Sequence, residues 1–521
     1  MMVAILTIQC NQEEFLDRPP EDALTIDNFY QSNEQVLAST APLYGWPWFE
    51  ANDKAWWAIG EGMGGNHYTN DGDMGEMYVF AVKSNSARLN EMWNSLFRVV
   101  AHSNSVINNV PEKSAEAVSD EIKRHAVAEA KFMRATAYFY LVRLWGPIPI
   151  IENNEELVID FKVPKNPEED VYKFIIMDLE WAMENLPETP LHTGRLSKWS
   201  AEGMLAKVYL AKAGLGQNGS RNQSDLDNAK THAANVINSG LMLMPEYGDL
   251  FMTEYENSDE SLFAFQWIAC LGWGTQNTNQ AYWAKDATVT GVGDGWGGYI
   301  GPTIDLQNDY EIGDKRRYHT IMLDGDYYPN IKSASGGFTY TQQPGGSMSA
   351  NATHSAVKKY VIGNPGDNGG QVCFMSTGIN TYVLRLADVY LIYAEAVLGN
   401  SANTNDAQAL DAFNAVRTRA GLTPKTTITL DDIYHERRLE FAYESDYWYD
   451  LVRLHYWDKQ KAIDIIGNQE RGTYEWDESD NLQLNSLKLV VNDGDFTLPI
   501  PESEASKNPK LKSDPEPYTF N

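Results

Sequence analysis

The chain of 521 residues is 43% hydrophobic and 22% charged, which is typical of a globular protein with a large core. Its 72 acidic residues outnumber the 41 Lys and Arg residues, and the formal charge of -31 repels phosphate backbones, which excludes nucleic acid as a partner. No apolar run reaches the roughly 18 residues that a membrane-spanning helix needs.

The N-terminus resembles the end of a bacterial lipoprotein signal. Met1 to Ile8 are apolar, and Cys10 is followed directly by Asn11, Gln12, Glu13 and Glu14. In such signals the Cys becomes the acylated first residue, so we expect residues 1–10 to be a signal remnant and Cys10 a lipid anchor. Two features depart from the pattern, because no Lys or Arg precedes the apolar stretch and Gln9 stands where a small residue is usual. An ordinary apolar N-terminal stretch is the alternative.

Seven segments carry apolar residues at helical spacing, with small Ala positions between them. They predict helices near residues 116–145, 167–186, 199–215, 224–240, 382–399, 405–420 and 431–444. A weak repeat of small and aromatic positions recurs in Ala130, Ala135 and Tyr138 and in Ala201, Ala206 and Tyr209. We therefore predict a mostly α fold in which helix pairs stack as in tetratricopeptide repeats.

Two regions lack this periodicity. Between about 246 and 380 Gly, Asn, Thr and aromatic residues dominate, Glu260 to Gln266 alternates as a strand does, and Gly272 to Gly301 contains eight glycines. Residues 44–80 form a second loop-rich region. The chain has 15 Trp, 28 Tyr and 18 Phe, many of them in these regions. We interpret the helices as a scaffold and the loops as the binding site.

The aromatic residues of the loops are candidates for ligand binding, because the C–H face of a sugar ring lies well against the negative face of an aromatic ring. Trp296 is the first candidate, since glycines flank it from Gly293 to Gly298, and Tyr299 follows it closely. The others are Trp46, Trp48, Trp56, Trp57, Tyr68, Trp273 and Trp283. Asn66, Asp71 and Asp73 offer hydrogen bonds to hydroxyl groups. The alternative is that the rings fill the core and the polar residues belong to solvated turns.

Motifs of conventional catalysis are absent from the sequence. Gly293 to Gly298 satisfies the spacing GxGxxG, but no strand of a βαβ unit precedes it, so a dinucleotide site is not expected. We find no HExxH, GxSxG or complete EF-hand loop, and we expect no catalytic residue and no cofactor or metal-cysteine site. Calcium held by loop oxygens remains open and unassigned. Cys270 and Cys373 either form a disulfide or are two buried thiols.

Acidic and basic residues alternate in the last helices. Glu436, Glu440 and Glu444 recur at a spacing of four and resemble paired catalytic carboxylates. We interpret them instead as partners in a buried ion network, because nearby arginines are numerous enough to pair them. These arginines are Arg385, Arg417, Arg437, Arg438 and Arg453.

The C-terminal third contains blocks that resemble the SusD/RagB family of outer-membrane nutrient-binding lipoproteins. They run from Arg385 to Ala396, from Asn414 to Leu422, from Glu436 to Glu444 and from Trp448 to Arg453. Further matches are Phe15 to Asp17, Trp93 to Asn104, Arg143 to Pro149, Gly194 to Leu210 and Leu498 to Pro501. Ser445 departs from the pattern, because a Gly usually follows the position of Glu444.

This resemblance implies a single domain over residues 11–521, in which an N-terminal half (about 11–245), a ligand-binding insertion (about 246–380) and a C-terminal helical part (about 381–521) combine. It also implies a surface lipoprotein of the outer membrane that captures a glycan for a SusC-like TonB-dependent transporter and performs no chemistry. One alternative within the family is a peptide-binding, RagB-like lipoprotein. The alternative from another class of protein is a glycoside hydrolase with two carboxyl groups about 5–9.5 Å apart.

Overall fold

A stack of consecutive long helices forms the scaffold. The computed structural model describes residues 29–342 and 352–520. Within these ranges, Tyr299 is described by its backbone only. Helix Asp120–Trp145 packs between Ala87–Lys113 and Glu168–Asn185. Helix Gln223–Ile237 packs against Leu386–Leu398, although 148 residues of sequence separate them. The insertion therefore leaves and re-enters the scaffold between two neighbouring helices.

The mostly α fold predicted from the sequence is confirmed, and each of the seven predicted helices is present. The α-helices are Asn33–Thr40, Gly72–Tyr78, Ala87–Lys113, Asp120–Trp145, Glu156–Ile159, Glu168–Asn185, Lys198–Lys212, Gln223–Ile237, Asn279–Trp283, Ala287–Thr290, Ile304–Asp309, Lys315–Thr320, Leu386–Leu398, Ala407–Arg419, Leu430–Phe441, Tyr447–His455, Lys459–Asn468 and Glu502–Ala505. Within the described residues, no helix combines the length and the apolar character needed to cross a membrane.

The ends of the helices follow local sequence signals. Helix Asp120–Trp145 begins after Ser119, whose hydroxyl accepts a hydrogen bond from the backbone N–H of Ile122. Its first turn carries two acidic residues and its last turn Arg143, which suits the helix dipole, and it stops at Gly146 with a φ of 66°. Thr429 and Asp432 form a capping box at the start of Leu430–Phe441.

The strands are short and pair two by two. They are His67–Tyr68, Ser261–Phe265, Gly301–Pro302, Ile321–Met322, Tyr327–Tyr328, Phe338–Thr339, Ala356–Val357, Val372–Cys373, Ser376–Thr377, Thr381–Arg385, Thr473–Trp476 and Leu482–Asn485. Ser261–Phe265, predicted from its alternation, pairs antiparallel with Thr381–Arg385, and Thr381 lies opposite Phe265. This pair joins the two ends of the insertion at its base.

Residues 44–80, predicted to be loop-rich, are mostly short helices, so that prediction was wrong. The segment contains 3-10 turns at Ala41–Tyr44 and Trp46–Trp48 and π-helical turns at Ala51–Ala55 and Ala58–Met63. Wider π turns are uncommon and often occur near functional sites. Helix Ala87–Lys113 was not predicted, because Asn and Ser interrupt its apolar face and Pro111 lies near its end.

The turn at Ser445 keeps the conformation that a Gly adopts easily. Ser445 has a φ of 63°, in the left-handed region. Its backbone N–H donates to Oε1 of Glu61 at 2.5 Å. Gly60 lies so close that a Cβ atom there would come within 2.5 Å of the Cβ of Ser445. The departure at Ser445 therefore leaves the fold intact.

A buried network of ion pairs ties the base of the insertion to the last helices, as predicted. Arg385 contacts Glu260 at 2.6 Å, Glu440 at 3.0 Å and Glu444 at 2.7 Å, and all four side chains are buried. Burial raises the pKa of Glu440, but the neighbouring guanidinium groups of Arg419 and Arg385 outweigh burial and lower that pKa to about 2. A second cluster places Arg437 between Asp388, Asp446 and Asp450. Glu260, Glu440 and Glu444 therefore serve as ion-pair partners in the core, as expected from the sequence.

We predict that Arg385→Met destabilises the protein by about 3–5 kcal/mol, because it leaves three buried carboxylates without their shared cation. Urea unfolding followed by circular dichroism measures this change. Arg124→Met, at an exposed position of helix Asp120–Trp145, is the matched control and should change the free energy of unfolding by less than about 0.5 kcal/mol. Equal stabilities of the two variants would contradict the role assigned to Arg385.

Candidate functional site

Four of the candidate tryptophans lie in the core rather than on a binding surface. Trp48, Trp56, Trp57 and Trp283 are buried. Trp48 stacks on Phe265 at a ring distance of 4.7 Å, and its indole N–H donates to the carbonyl of Leu43. Trp56, Trp57 and Trp283 make tilted or edge-on contacts with other buried rings. The prediction that these four contact a ligand is corrected, because the helical turns direct them inward.

The polar candidates near residue 70 have structural partners. Asn66 is buried, donates to Glu61 at 2.9 Å and accepts from Arg438 at 2.9 Å, so it is not available to a ligand. Asp71 caps helix Gly72–Tyr78 by accepting from the N–H of Asp73. The exposed carboxylate of Asp73 lies 3.8 Å from Arg88. Tyr68 is half-buried and packs edge-on against Tyr78. The prediction for Asn66 is therefore corrected to a structural role, whereas Asp71 and Asp73 are exposed and stay candidates.

Three of the candidate tryptophans are exposed, and an exposed phenylalanine lies beside one of them. Trp46 is 45% exposed, Trp273 65%, Trp296 38% and Phe374 57%. Trp296 lies 6.1 Å from Phe374, ring centre to ring centre, and 5.6 Å from Tyr282. We call Trp46, Trp273, Trp296 and Phe374 the aromatic platform. Contiguous exposed apolar patches often mark binding surfaces, and Trp296 with Phe374 forms one such contact.

A disulfide holds two loops of the platform together. Cys270 and Cys373 are bonded across 103 residues of sequence, which resolves the alternative left open by the sequence. The backbone N–H of Cys270 donates to the hydroxyl of Ser376 at 2.9 Å. Trp273 and Phe374 therefore lie on loops that are covalently joined, and the entropy of ordering them is reduced before a ligand binds.

The loop of Trp296 is fixed by close backbone packing. The N–H of Trp296 donates to the carbonyl of Ala281, and the carboxylate of Asp294 accepts from the N–H of Met375 at 2.6 Å. A Cβ atom at Gly297 would lie 2.1 Å from the carbonyl oxygen of Trp283. Gly297 is thus required because the chain presses against the short helix Asn279–Trp283. The exposed ring of Trp296 stands on a rigid support.

Polar groups lie beside the platform rings. The hydroxyl of Tyr282 donates to Asp53 at 3.3 Å, and the ammonium of Lys54 lies 5.1 Å from the centre of the Tyr282 ring. Burial raises the pKa of Asp53. On the other side, Arg98 lies 5.5 Å from the Trp46 ring. These groups offer both donors and acceptors to hydroxyl groups of a ligand.

The sequence did not single out Asp53, Lys54, Tyr282, Arg98 or Phe374. The one signal for Phe374 was its place next to Cys373, and only the structure shows that this Cys is bonded to Cys270. The side chain of Tyr299 and the proposed anchor Cys10 lie outside the described parts of the structure. Across the described residues, no group of three or more His, Cys, Asp or Glu side chains is arranged to hold a metal ion.

Comparison with known proteins confirms the resemblance. A model of the SusD family matches residues 212–516, and a model described as starch-binding, associating with the outer membrane, matches residues 14–210. A SusD-like protein of Bacteroides ovatus is 40% identical over 544 residues, covering 99% of this chain and 97% of the relative. The chain therefore belongs to the SusD family of glycan-binding proteins.

Two further relatives bear on the ligand. A crystal structure with a xylogluco-oligosaccharide is 40% identical to this chain, has a TM-score of 0.85, and covers 93% of this chain and 99% of the other. The starch-binding protein SusD of Bacteroides thetaiotaomicron is 26% identical over 403 residues, covering 69% of each chain.

Replacement of both bonded cysteines, in Cys270→Ser with Cys373→Ser, should loosen the platform loops without unfolding the scaffold. We expect amide hydrogen exchange in residues 268–277 and 372–377 to accelerate about tenfold or more, because only local contacts then order these loops. Exchange in helix Asp120–Trp145 serves as the internal control and should not change. Unchanged protection of both loops would show that the disulfide is not what orders them.

Proposed function

We propose that this protein captures an oligosaccharide of the xyloglucan type on the aromatic platform. The observation that carries the proposal is the set of exposed rings on loops that a disulfide and close packing hold in place. Sugar rings lie with their C–H faces on such rings, and the neighbouring Asp53, Lys54 and Arg98 supply partners for hydroxyl groups. The choice of xyloglucan is supported by the 40% identical structure that contains a xylogluco-oligosaccharide.

We further propose that the captured glycan passes to a SusC-like TonB-dependent transporter, and that Cys10 anchors the protein to the outer membrane. Both are supported by family membership and by the outer-membrane association in the family description. The proposal includes no chemical step and no cofactor, since stacking and hydrogen bonding suffice for capture. Co-purification of tagged protein with a transporter from outer membranes tests the partnership. Loss of membrane association in Cys10→Ala tests the anchor.

Isothermal titration with a panel of ligands tests the substrate class. The chain from residue 11 onward is titrated with xylogluco-oligosaccharide, laminarin, starch oligosaccharide and a mixture of peptides. We expect saturable heat from xylogluco-oligosaccharide and no hydrolysis product after long incubation. Binding of peptides alone would replace the proposal with a peptide-binding role, and release of shorter sugars would replace it with a glycoside hydrolase.

A pair of tryptophan variants separates binding from stability. Trp296→Ala should weaken glycan binding about tenfold or more, because it removes an exposed stacking surface, while the free energy of unfolding changes by less than about 0.5 kcal/mol. Trp283→Ala, at a buried neighbour, should instead cost about 3–5 kcal/mol of stability. Titration and urea unfolding measure the two quantities. A Trp296→Ala variant that binds glycan normally would remove Trp296 from the site.

A further inference from the structure

Two exposed aliphatic side chains lie on a loop of the platform, on either side of Cys270 of the disulfide. Ile268 is 57% exposed and Leu271 is 69% exposed. An aliphatic side chain lacks the negative π face that attracts the C–H groups of a sugar ring. The stacking of sugars on the platform therefore does not explain why these two residues are exposed. We call Ile268 and Leu271 the aliphatic rim.

The disulfide places the aliphatic rim beside the platform. Leu271 directly follows Cys270, Phe374 directly follows Cys373, and the Cα atoms of the two cysteines are 5.6 Å apart. Because consecutive Cα atoms are about 3.8 Å apart, the Cα atoms of Leu271 and Phe374 are separated by at most about 13 Å. Phe374 in turn lies 6.1 Å from Trp296, ring centre to ring centre. The rim therefore adjoins the exposed rings of the platform.

The turn that carries the aliphatic rim has a fixed backbone. The N–H of Ile268 donates to the carbonyl of Thr275 at 2.7 Å, which closes the turn. The N–H groups of Gly274 and Thr275 donate to Oε1 of the buried Gln276 at 2.9 and 3.1 Å. With the disulfide, these hydrogen bonds order the turn in the free protein. The rim therefore loses little conformational freedom on contact with a ligand.

The polar groups of this turn are used within the protein. The carbonyl of Gly272 accepts from the N–H and from the hydroxyl of Thr275, and the N–H of Cys270 donates to Ser376. Neither 267–284 nor 368–384 contains a Lys, Arg, Asp or Glu, although 22% of the residues of the chain are charged. The two joined loops therefore offer a ligand mainly apolar contacts.

An apolar substituent on a sugar matches the aliphatic rim. An unmodified sugar ring carries hydroxyl groups around its edge, and a hydroxyl group held against aliphatic carbon without a hydrogen-bond partner costs free energy. A methyl group in the same place is removed from water, which is favourable. Glycans carry methyl groups in two common forms, the O-acetyl ester and the 6-deoxy sugar. Both forms present the same chemistry to the rim.

We propose that the aliphatic rim binds a methyl group of the glycan, supplied by an O-acetyl ester or by a 6-deoxy sugar. The inference rests on the proposed capture of a glycan on the platform, and it specifies the class of glycan further. The exposed rings hold a sugar ring, while Ile268 and Leu271 cover the methyl group of a substituent. These two residues therefore determine which substituted glycans the protein prefers.

Isothermal titration with three oligosaccharides that share one backbone tests the proposal. The first is an unsubstituted xylogluco-oligosaccharide, the second is O-acetylated, and the third ends in a 6-deoxy sugar. Wild-type protein should bind a substituted form about fourfold or more tightly than the unsubstituted form, since burial of one such carbon group contributes about 0.8 kcal/mol. A preference for one substituted form alone identifies the source of the methyl group. Equal affinities for all three overturn the proposal.

A double variant of the aliphatic rim locates the preference. Ile268→Ser with Leu271→Ser should bind the three oligosaccharides with equal affinities. Ile312→Ser with Val490→Ser, at two exposed aliphatic residues elsewhere on the chain, is the matched control and should keep the preference. A rim variant that still prefers a substituted form overturns the proposal. If that variant also no longer co-purifies with a transporter, the rim is a contact for a protein instead.

Magnetic resonance on the wild-type protein decides the matter if the double variant does not fold. In protein that is deuterated except for the methyl groups of Ile and Leu, saturation of these groups should transfer to the methyl group of the bound glycan more strongly than to its ring protons. Absence of this transfer overturns the proposal. Failure of the platform is distinguishable, because Trp296→Ala should weaken binding of all three oligosaccharides. If the wild-type protein binds none of them, both proposals fail.

Discussion

The burial of Arg385 constrains the rest of the molecule more than any other single interaction. A guanidinium group removed from water is tolerated only when acceptors occupy its hydrogen-bonding directions, and around Arg385 these acceptors are mainly carboxylates. Glu260 comes from the start of the insertion, and Glu440 and Glu444 come from the last helices. Because all of them must meet at one point, the insertion has a fixed position on the helical scaffold. The orientation of the platform loops depends on that fixed base.

The aromatic residues divide into two sets with different physical roles. Trp48, Trp56, Trp57 and Trp283 pack against one another and against neighbouring rings beneath the surface. Trp46, Trp273, Trp296 and Phe374 remain exposed, and Trp296 contacts Tyr282, which in turn packs against the buried Trp57. A ring supported in this way loses little conformational freedom when a ligand binds. The high Trp content thus supplies the support of the site as well as its surface.

The helices were predictable because their apolar residues recur at a period close to 3.6, as in Leu386, Val389 and Tyr393. Trp296 was also placed correctly on the surface, since flanking glycines have no side chains to cover it. Trp56 and Trp57 were misplaced because they lie between two π-helical turns, which leave no clear pattern in sequence, so whether their rings are buried depends on tertiary contacts. Phe374 was missed because its exposure depends on a partner loop 103 residues away.

The two-stranded pair Ser261–Phe265 and Thr381–Arg385 brings both ends of the insertion to one narrow place in the scaffold. The entropy of loop closure grows only slowly with loop length. Segments inserted at this strand pair can therefore lengthen, shorten or be exchanged with little loss of stability in the helices. Selection can therefore remodel ligand preference in the insertion while the scaffold stays the same. The fold separates the part of the protein that diversifies from the part that must persist.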